Sequence, residues 1–291
     1  MNNFQTRLLS GVAYVALLCF GILYHEVSAH ILFLALSFLA LREYRVISKK
    51  TLDTPRYIIS FLLGLHIYFY FNLEFASEHL YFLRLTEEIL IFSGSLLLYL
   101  EIILMLITYK TEASKHILTT FFSYFYTILP FALAVPFAKL SGVYDGFSLL
   151  LVLIFIWASD TFAYLVGRQF GKHKLFEEVS PKKTWEGFIG GGILTIILGL
   201  VIAFFTDKSY LVLGLLAMLT FLFGSVGDLI QSAFKRTVNI KDSSNLIPGH
   251  GGILDRLDSF IFAMPIIYLI FSSIEFRNIM LNKKQPYLIN D

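Results

Sequence analysis

Apolar residues run along this chain in long blocks, not in the alternating or heptad spacing of half-buried elements. Nine blocks approach the roughly 20 residues a helix needs to span hydrocarbon. They are Leu8–Tyr24, Ser28–Leu41, Tyr57–Leu73, Ile89–Tyr109, Ile117–Ala138, Phe147–Gly167, Phe188–Phe205, Tyr210–Ile230 and Ile253–Ser273. Open strands cannot satisfy their backbone in lipid, so each block predicts a helix. The second is short and borrows residues from Arg42–Val46, and the ninth opens with charges. The pattern therefore predicts an all-α, polytopic integral membrane protein with about nine transmembrane helices.

Composition agrees. Hydrophobic residues make up 57% of the 291 and charged residues 15%, with a mean hydropathy of +0.72, which leaves too little polar surface for a soluble globule. A net charge of +2 argues against nucleic acid as a partner. The single cysteine, Cys19, excludes an intrachain disulfide and sits inside the first apolar block. With the N-terminus inside, 17 of the 23 Lys and Arg residues fall on inner segments, as the positive-inside bias requires. Arg84, Lys139, Lys208, Arg277, Lys283 and Lys284 remain outside. A cleaved signal peptide is the rival reading of Leu8–Tyr24, but its apolar core is long and a second block follows at once. No fixed-period repeat is visible. Content divides the chain: residues 1–145 hold spans with ordinary short loops, a scaffold, and residues 146–291 hold nearly all polar groups with chemical potential, a catalytic region.

Three inner segments carry that potential. In IFIWASDTFAYLVGRQFGKHKL, Asp160 lies inside an apolar run, where a carboxylate costs roughly 2.5–3.5 kcal/mol. Tyr164 and Arg168 share its helical face. In SPKKTWEG, Ser180, Lys182, Lys183 and Thr184 before a helix start form a phosphate cradle, and Glu186 can accept a hydroxyl or hold a cation. The third, Ser232–Asp258, reads SAFKRTVNIKDSSNLIPGHGGILDRLD. There Lys235, Arg236, Lys241 and Arg256 can hold phosphate oxygens, and Asp242, Asp255 and Asp258 can hold a hard cation such as Mg²⁺. Asp228, Ser232 and Lys235 form one stripe, and Asp255 and Asp258 are spaced i, i+3 if a helix begins near Gly252. His250 in its glycine turn can ligate, cap or hydrogen-bond. Ion pairing for packing alone explains any two of these groups but not the whole set. Such chemistry belongs to metal-dependent phosphoryl or nucleotidyl transfer at a membrane surface. Glu101 and His66, buried in the scaffold half, read as interhelical hydrogen bonders.

The last segment resembles the signature of the phosphatidate cytidylyltransferase family, the CDP-diacylglycerol synthases. The matching positions are Ser232, Lys235-Arg236, Lys241-Asp242, Pro248, His250-Gly251-Gly252 and Asp255-Arg256-Leu257-Asp258. The two upstream segments also look like that family's motifs, so the resemblance covers residues from about 150 to 275. It implies transfer of CMP from CTP to phosphatidic acid, giving CDP-diacylglycerol and pyrophosphate in phospholipid biosynthesis. It further implies Asp228 and Asp255 as metal ligands with Mg²⁺ between them, and K⁺ as a candidate second cation. The catalytic set is then Asp228, Asp255, Lys235, Arg236, Lys241, His250 and Arg256. The substrate set is Ser180, Lys182, Lys183, Thr184, Glu186, Asp160, Ser232, Asp242 and Asp258. Phosphatidate would enter sideways from membrane lipid. The expected location is the bacterial inner membrane, multi-pass, with the active site facing the cytoplasm, and a homodimer is an open alternative. A CDP-alcohol phosphotransferase-like enzyme would use related substrates, but its aspartate motif is missing. An anion transporter should show inverted repeats.

Overall fold

A computed structural model of the chain describes residues 3–48, 57–74 and 86–282. In chain order the helices are α1 (Asn3–Leu23), α2 (Glu26–Ser48), α3 (Tyr57–Phe71), α4 (Glu87–Tyr109), α5 (Ala113–Thr127), α6 (Leu129–Ala132), α7 (Ala134–Ala138) and α8 (Gly146–Phe170). After a hairpin of β1 (Lys174–Phe176) and β2 (Ser180–Thr184) come α9 (Trp185–Thr206), α10 (Tyr210–Thr237) and α11 (Ile253–Asn282). Among the described residues the fold is all-α apart from this hairpin, and each apolar block of the sequence lies largely in helix.

Among the described residues, five helices are long and apolar enough to cross a bilayer: Gln5–Leu23, the joined run Glu87–Ala138, Gly146–Phe170, Trp185–Thr206 and Tyr210–Thr237. These make it a multi-pass membrane protein, and they do not by themselves establish nine crossings. The shortfall has physical causes. Glu26, Arg42, Glu43 and Arg45 lower the hydropathy of α2, and α3 is 15 residues long. The block Ile117–Ala138, expected as one span, is broken into α5, α6 and α7, with Pro130 and Pro136 inside the short pieces. Proline has no N–H to donate and its ring crowds the preceding turn, so the helix cannot run through both.

The core sits where α2, α6 and α11 meet: the rings of Phe33, Phe131 and Phe260 lie 5.8–6.4 Å apart and are essentially inaccessible. Exposed apolar side chains such as Leu8, Phe92, Ile189 and Phe205 cover the outside, as a lipid-facing surface requires. Helices in lipid gain little from apolar burial against one another, so close backbone approach matters more. Gly187 and Gly191 on α9 supply it: a Cβ at either would strike the Ala163 backbone of α8. Gly227 does the same for α10 against Asp258 of α11.

Polar contacts gather at two ends of the bundle. At one end Lys139 bridges Glu26 and Glu74 at 2.9 and 3.0 Å, and Lys208 meets Asp145 at 2.7 Å. The other end carries the groups singled out in the sequence.

Candidate active site

The hairpin is built by alternation. Along β2, Lys183 is partly buried and reaches Asp228 of α10, whereas Lys182 points away and is exposed. Thr184 ends the strand and caps α9, its hydroxyl oxygen accepting the Gly187 N–H at 3.2 Å. Glu186 folds the preceding loop back: its carboxylate takes the Lys172 N–H at 3.0 Å and His173 Nδ1 at 2.6 Å. Those bonds occupy the oxygens that the sequence reading offered to a hydroxyl or a cation. Ser180 lies half-buried at the start of the strand.

α10 presents its stripe as expected, and the partners of that stripe come from three other elements. Asp228 pairs with Lys183, and Lys235 donates to Asp255 Oδ1 at 2.9 Å. Between them Gln231 is fully buried and accepts the Tyr126 hydroxyl at 2.6 Å. Ser232 is half-buried and Arg236 exposed. Asp160 of α8 is accessible, and its charge acts on Asp228, Lys183 and Arg256. Asp258 also lies within electrostatic reach of Asp228, Asp160 and Lys235.

The segment after α10 is held by backbone geometry and carboxylates. Gly249 and Gly251 adopt φ of +76° and +90°, where an L side chain would be strained. They turn His250 so that its Nδ1 lies 2.9 Å from Ser10 Oγ of α1 while its carbonyl accepts Arg256 Nε at 2.7 Å. Asp255 Oδ2 takes three donors, the Ser243 N–H at 2.7 Å, Ser243 Oγ at 2.9 Å and the Gly252 N–H at 3.0 Å. The i, i+3 relation of Asp255 and Asp258 is broken by Leu257, whose φ of −123° kinks α11. Asp258 therefore starts a fresh turn and accepts the Ser259 N–H at 2.7 Å. Lys241 and Asp242 are exposed on the same loop.

The structure thus brings Asp160, Lys183, Asp228, Lys235, His250, Asp255, Arg256 and Asp258 to one end of the bundle, with Thr184 and Ser232 beside them. Lys182, Arg236, Lys241 and Asp242 stand at its rim, exposed. Four groups that sequence reasoning passed over join from the first half: Ser10, Tyr14, Glu43 and Tyr126. Among the described residues the buried Tyr14 hydroxyl has no hydrogen-bond partner, and it lies near Arg256 and Asp258. Only Glu43 carried a signal, an acid between Arg42 and Arg45 at the end of an apolar run, and it reads as an ordinary loop charge.

The donor set fits a hard cation in charge and in atom type. Asp228 and Asp255, the two carboxylates offered to Mg²⁺ above, are oxygen donors of the kind it takes, here paired with Lys183 and Lys235, and Asp160 and Asp258 add negative charge within electrostatic reach of Asp228. They do not form a closed cage: among the described residues no three His, Cys, Asp or Glu groups stand close enough to ligate one ion. An open set of this kind suits a cation that also binds substrate phosphates.

A helical membrane bundle whose polar end mixes carboxylates with Lys and Arg defines a class, multi-pass membrane proteins equipped to hold anionic groups beside lipid. The comparisons narrow it. The profile of the cytidylyltransferase family matches residues 5–274, and the chain belongs to that family. It is 46% identical over 129 residues to a phosphatidate cytidylyltransferase of Staphylococcus haemolyticus, covering 43% of this chain and 50% of that protein. It is 45% identical over 119 residues to one of Bacillus subtilis, covering 40% of this chain and 44% of that protein. The chain spans about half the length of the curated relatives it matches.

Proposed function

We propose that this protein is a nucleotidyltransferase of phospholipid biosynthesis, moving CMP from CTP to phosphatidic acid to give CDP-diacylglycerol and pyrophosphate. The observation that carries the reading is the pairing at the polar end: Lys183 with Asp228 and Lys235 with Asp255, cations and carboxylates gathered at one end of the bundle. A phosphate oxygen of phosphatidate attacks the α-phosphorus of CTP. The bond from that phosphorus to the oxygen bridging to the β-phosphate breaks, and pyrophosphate carries away the charge. The nucleophile is already an anion, so the protein's main tasks are neutralising charge and holding the reactants in line. Lys183 and Lys235 exchange their carboxylate partners for phosphate oxygens when the triphosphate enters. Arg256, fixed through Nε to the His250 carbonyl, presents its remaining N–H groups to a second phosphate.

Mg²⁺ bound by Asp228 and Asp255 would neutralise triphosphate charge, with K⁺ as a second cation. Asp228 is the more available ligand. Asp255 Oδ2 is committed to its own loop, and its Oδ1 becomes free when Lys235 moves to phosphate. The active site faces the cytoplasm of the bacterial inner membrane, where CTP is found, and the acyl chains of phosphatidate stay among the lipid-facing helices.

Purified protein in lipid, supplied with CTP and Mg²⁺, should release pyrophosphate only when phosphatidate is present. Failure to release pyrophosphate from CTP and phosphatidate, together with release of CMP from a CDP-alcohol when a free alcohol is supplied, would replace this reading with the alcohol-phosphotransferase alternative.

A further inference from the structure

Glu43 belongs to α2, in the half of the chain that carries no motif, yet it is only 5% exposed, and among the described residues its side-chain hydrogen bonds all come from the signature segment. Oε1 accepts from Ser244 Oγ at 2.7 Å and the Ile253 N–H at 2.9 Å. Oε2 accepts from Ser243 Oγ and the Leu254 N–H, both at 3.0 Å. The two amides are orphan donors of the first turn of α11, which a carboxylate satisfies well. A cap needs no more than that, but Ser243 does more.

Ser243 Oγ lies 3.0 Å from Glu43 and 2.9 Å from Asp255 Oδ2, and the Ser243 N–H donates to the same Asp255 oxygen. One residue thus ties a carboxylate of α2 to a carboxylate of the site. A hydroxyl has one proton, so Ser243 donates to a single carboxylate at a time while its position constrains both. The space is closed from the other side by Gly252, where a Cβ would strike Ser243 Oγ and the Glu43 carboxylate together.

We propose that Glu43 is a positioning residue for this site: through Ser243 and the first turn of α11 it sets the place of Asp255, and hence of Lys235. The inference rests on the reading given under Proposed function. Its geometry demands charge at Glu43 as well as volume, because an amide would turn an N–H₂ toward donors.

The test is kinetic and structural at once. Glu43→Gln, purified in lipid, should lose about 10–100-fold in kcat, the usual effect of removing a partner that orients a site residue, while KM for CTP changes much less, and should melt at a lower temperature than wild type because an amide cannot accept all four donors. Glu43→Asp, which keeps the charge, should regain part of that loss. Hydrogen exchange across residues 241–256, measured without substrate, should be faster in Glu43→Gln than in wild type. A folded Glu43→Gln protein with wild-type kcat, or with unchanged exchange, overturns the proposal. Should Glu43→Gln fail to fold, Ser243→Ala leaves α2 untouched and carries the test: a comparable loss of kcat is expected, and full activity overturns the proposal. A wild-type protein that turns over no CTP would sink the enzymatic reading alone, and the exchange measurement would still decide the hold of Glu43 on the loop.

Discussion

Asp228 and Asp255 look alike in the sequence and stand in different situations in the folded chain. Among the described residues Asp228 has one protein partner, Lys183, whereas Asp255 takes Lys235 and three donors from its own loop. Asp228→Asn should therefore abolish turnover and leave the melting temperature nearly unchanged. Asp255→Asn should abolish turnover and also lower stability, by about 1–3 kcal/mol, because an amide cannot accept all those donors and some are left buried and unpaired. Activity assays beside thermal melts separate the two, and normal turnover by Asp228→Asn would remove it from the site. The signature residues were legible because their spacing is short and their chemistry is dense. Glu43 and Tyr126 were not, since each meets its partner more than a hundred positions away and no local pattern announces the contact.

At the scale of elements, the adjacent lysines of SPKKTWEG are equivalent in sequence and unequal on β2. Strand alternation aims Lys183 at Asp228 and Lys182 at solvent. Lys183→Met should cost at least about tenfold in kcat/KM, and Lys182→Met much less, in steady-state assays with varied CTP. Equal losses would mean that both lysines turn toward the nucleotide when it binds. Helix positions could be read from hydropathy, whereas the break across α5, α6 and α7 was written in Pro130 and Pro136, which apolar content alone passes over. The α8–α9 contact was hidden: glycines read as neutral until their neighbours are known. Gly191→Val should separate the two helices, since a Cβ there meets the Ala163 N at 2.9 Å. It should destabilise the protein by about 1–3 kcal/mol, seen as a lower melting temperature in lipid, and should weaken the Lys183–Asp228 pairing at the end of the seam.

Across the whole molecule, the division of charge predicted from Lys and Arg coincides with the two polar ends. Glu26, Lys139, Asp145 and Lys208 cluster at the end away from the site. In a Cys19→Ser background, Val143→Cys, at an exposed position of that distant end, should react with an impermeant thiol reagent in intact cells. Lys182→Cys should react only after the membrane is opened. The reverse pattern would place the site outside and remove access to cytosolic CTP. The membrane-embedded class was legible from hydropathy alone, because lipid imposes one requirement on every span. How the spans pack was not, because that depends on contacts between distant residues. One such contact bears on how the chain is made. Glu43 emerges from the ribosome 200 residues before Ser243, so throughout synthesis its carboxylate waits in a half-built bundle without the donors that will enclose it. A chain stalled or cut short near residue 240 is then left with an unsatisfied acid at the polar end of its bundle, and should be cleared by membrane proteases instead of accumulating as a silent fragment.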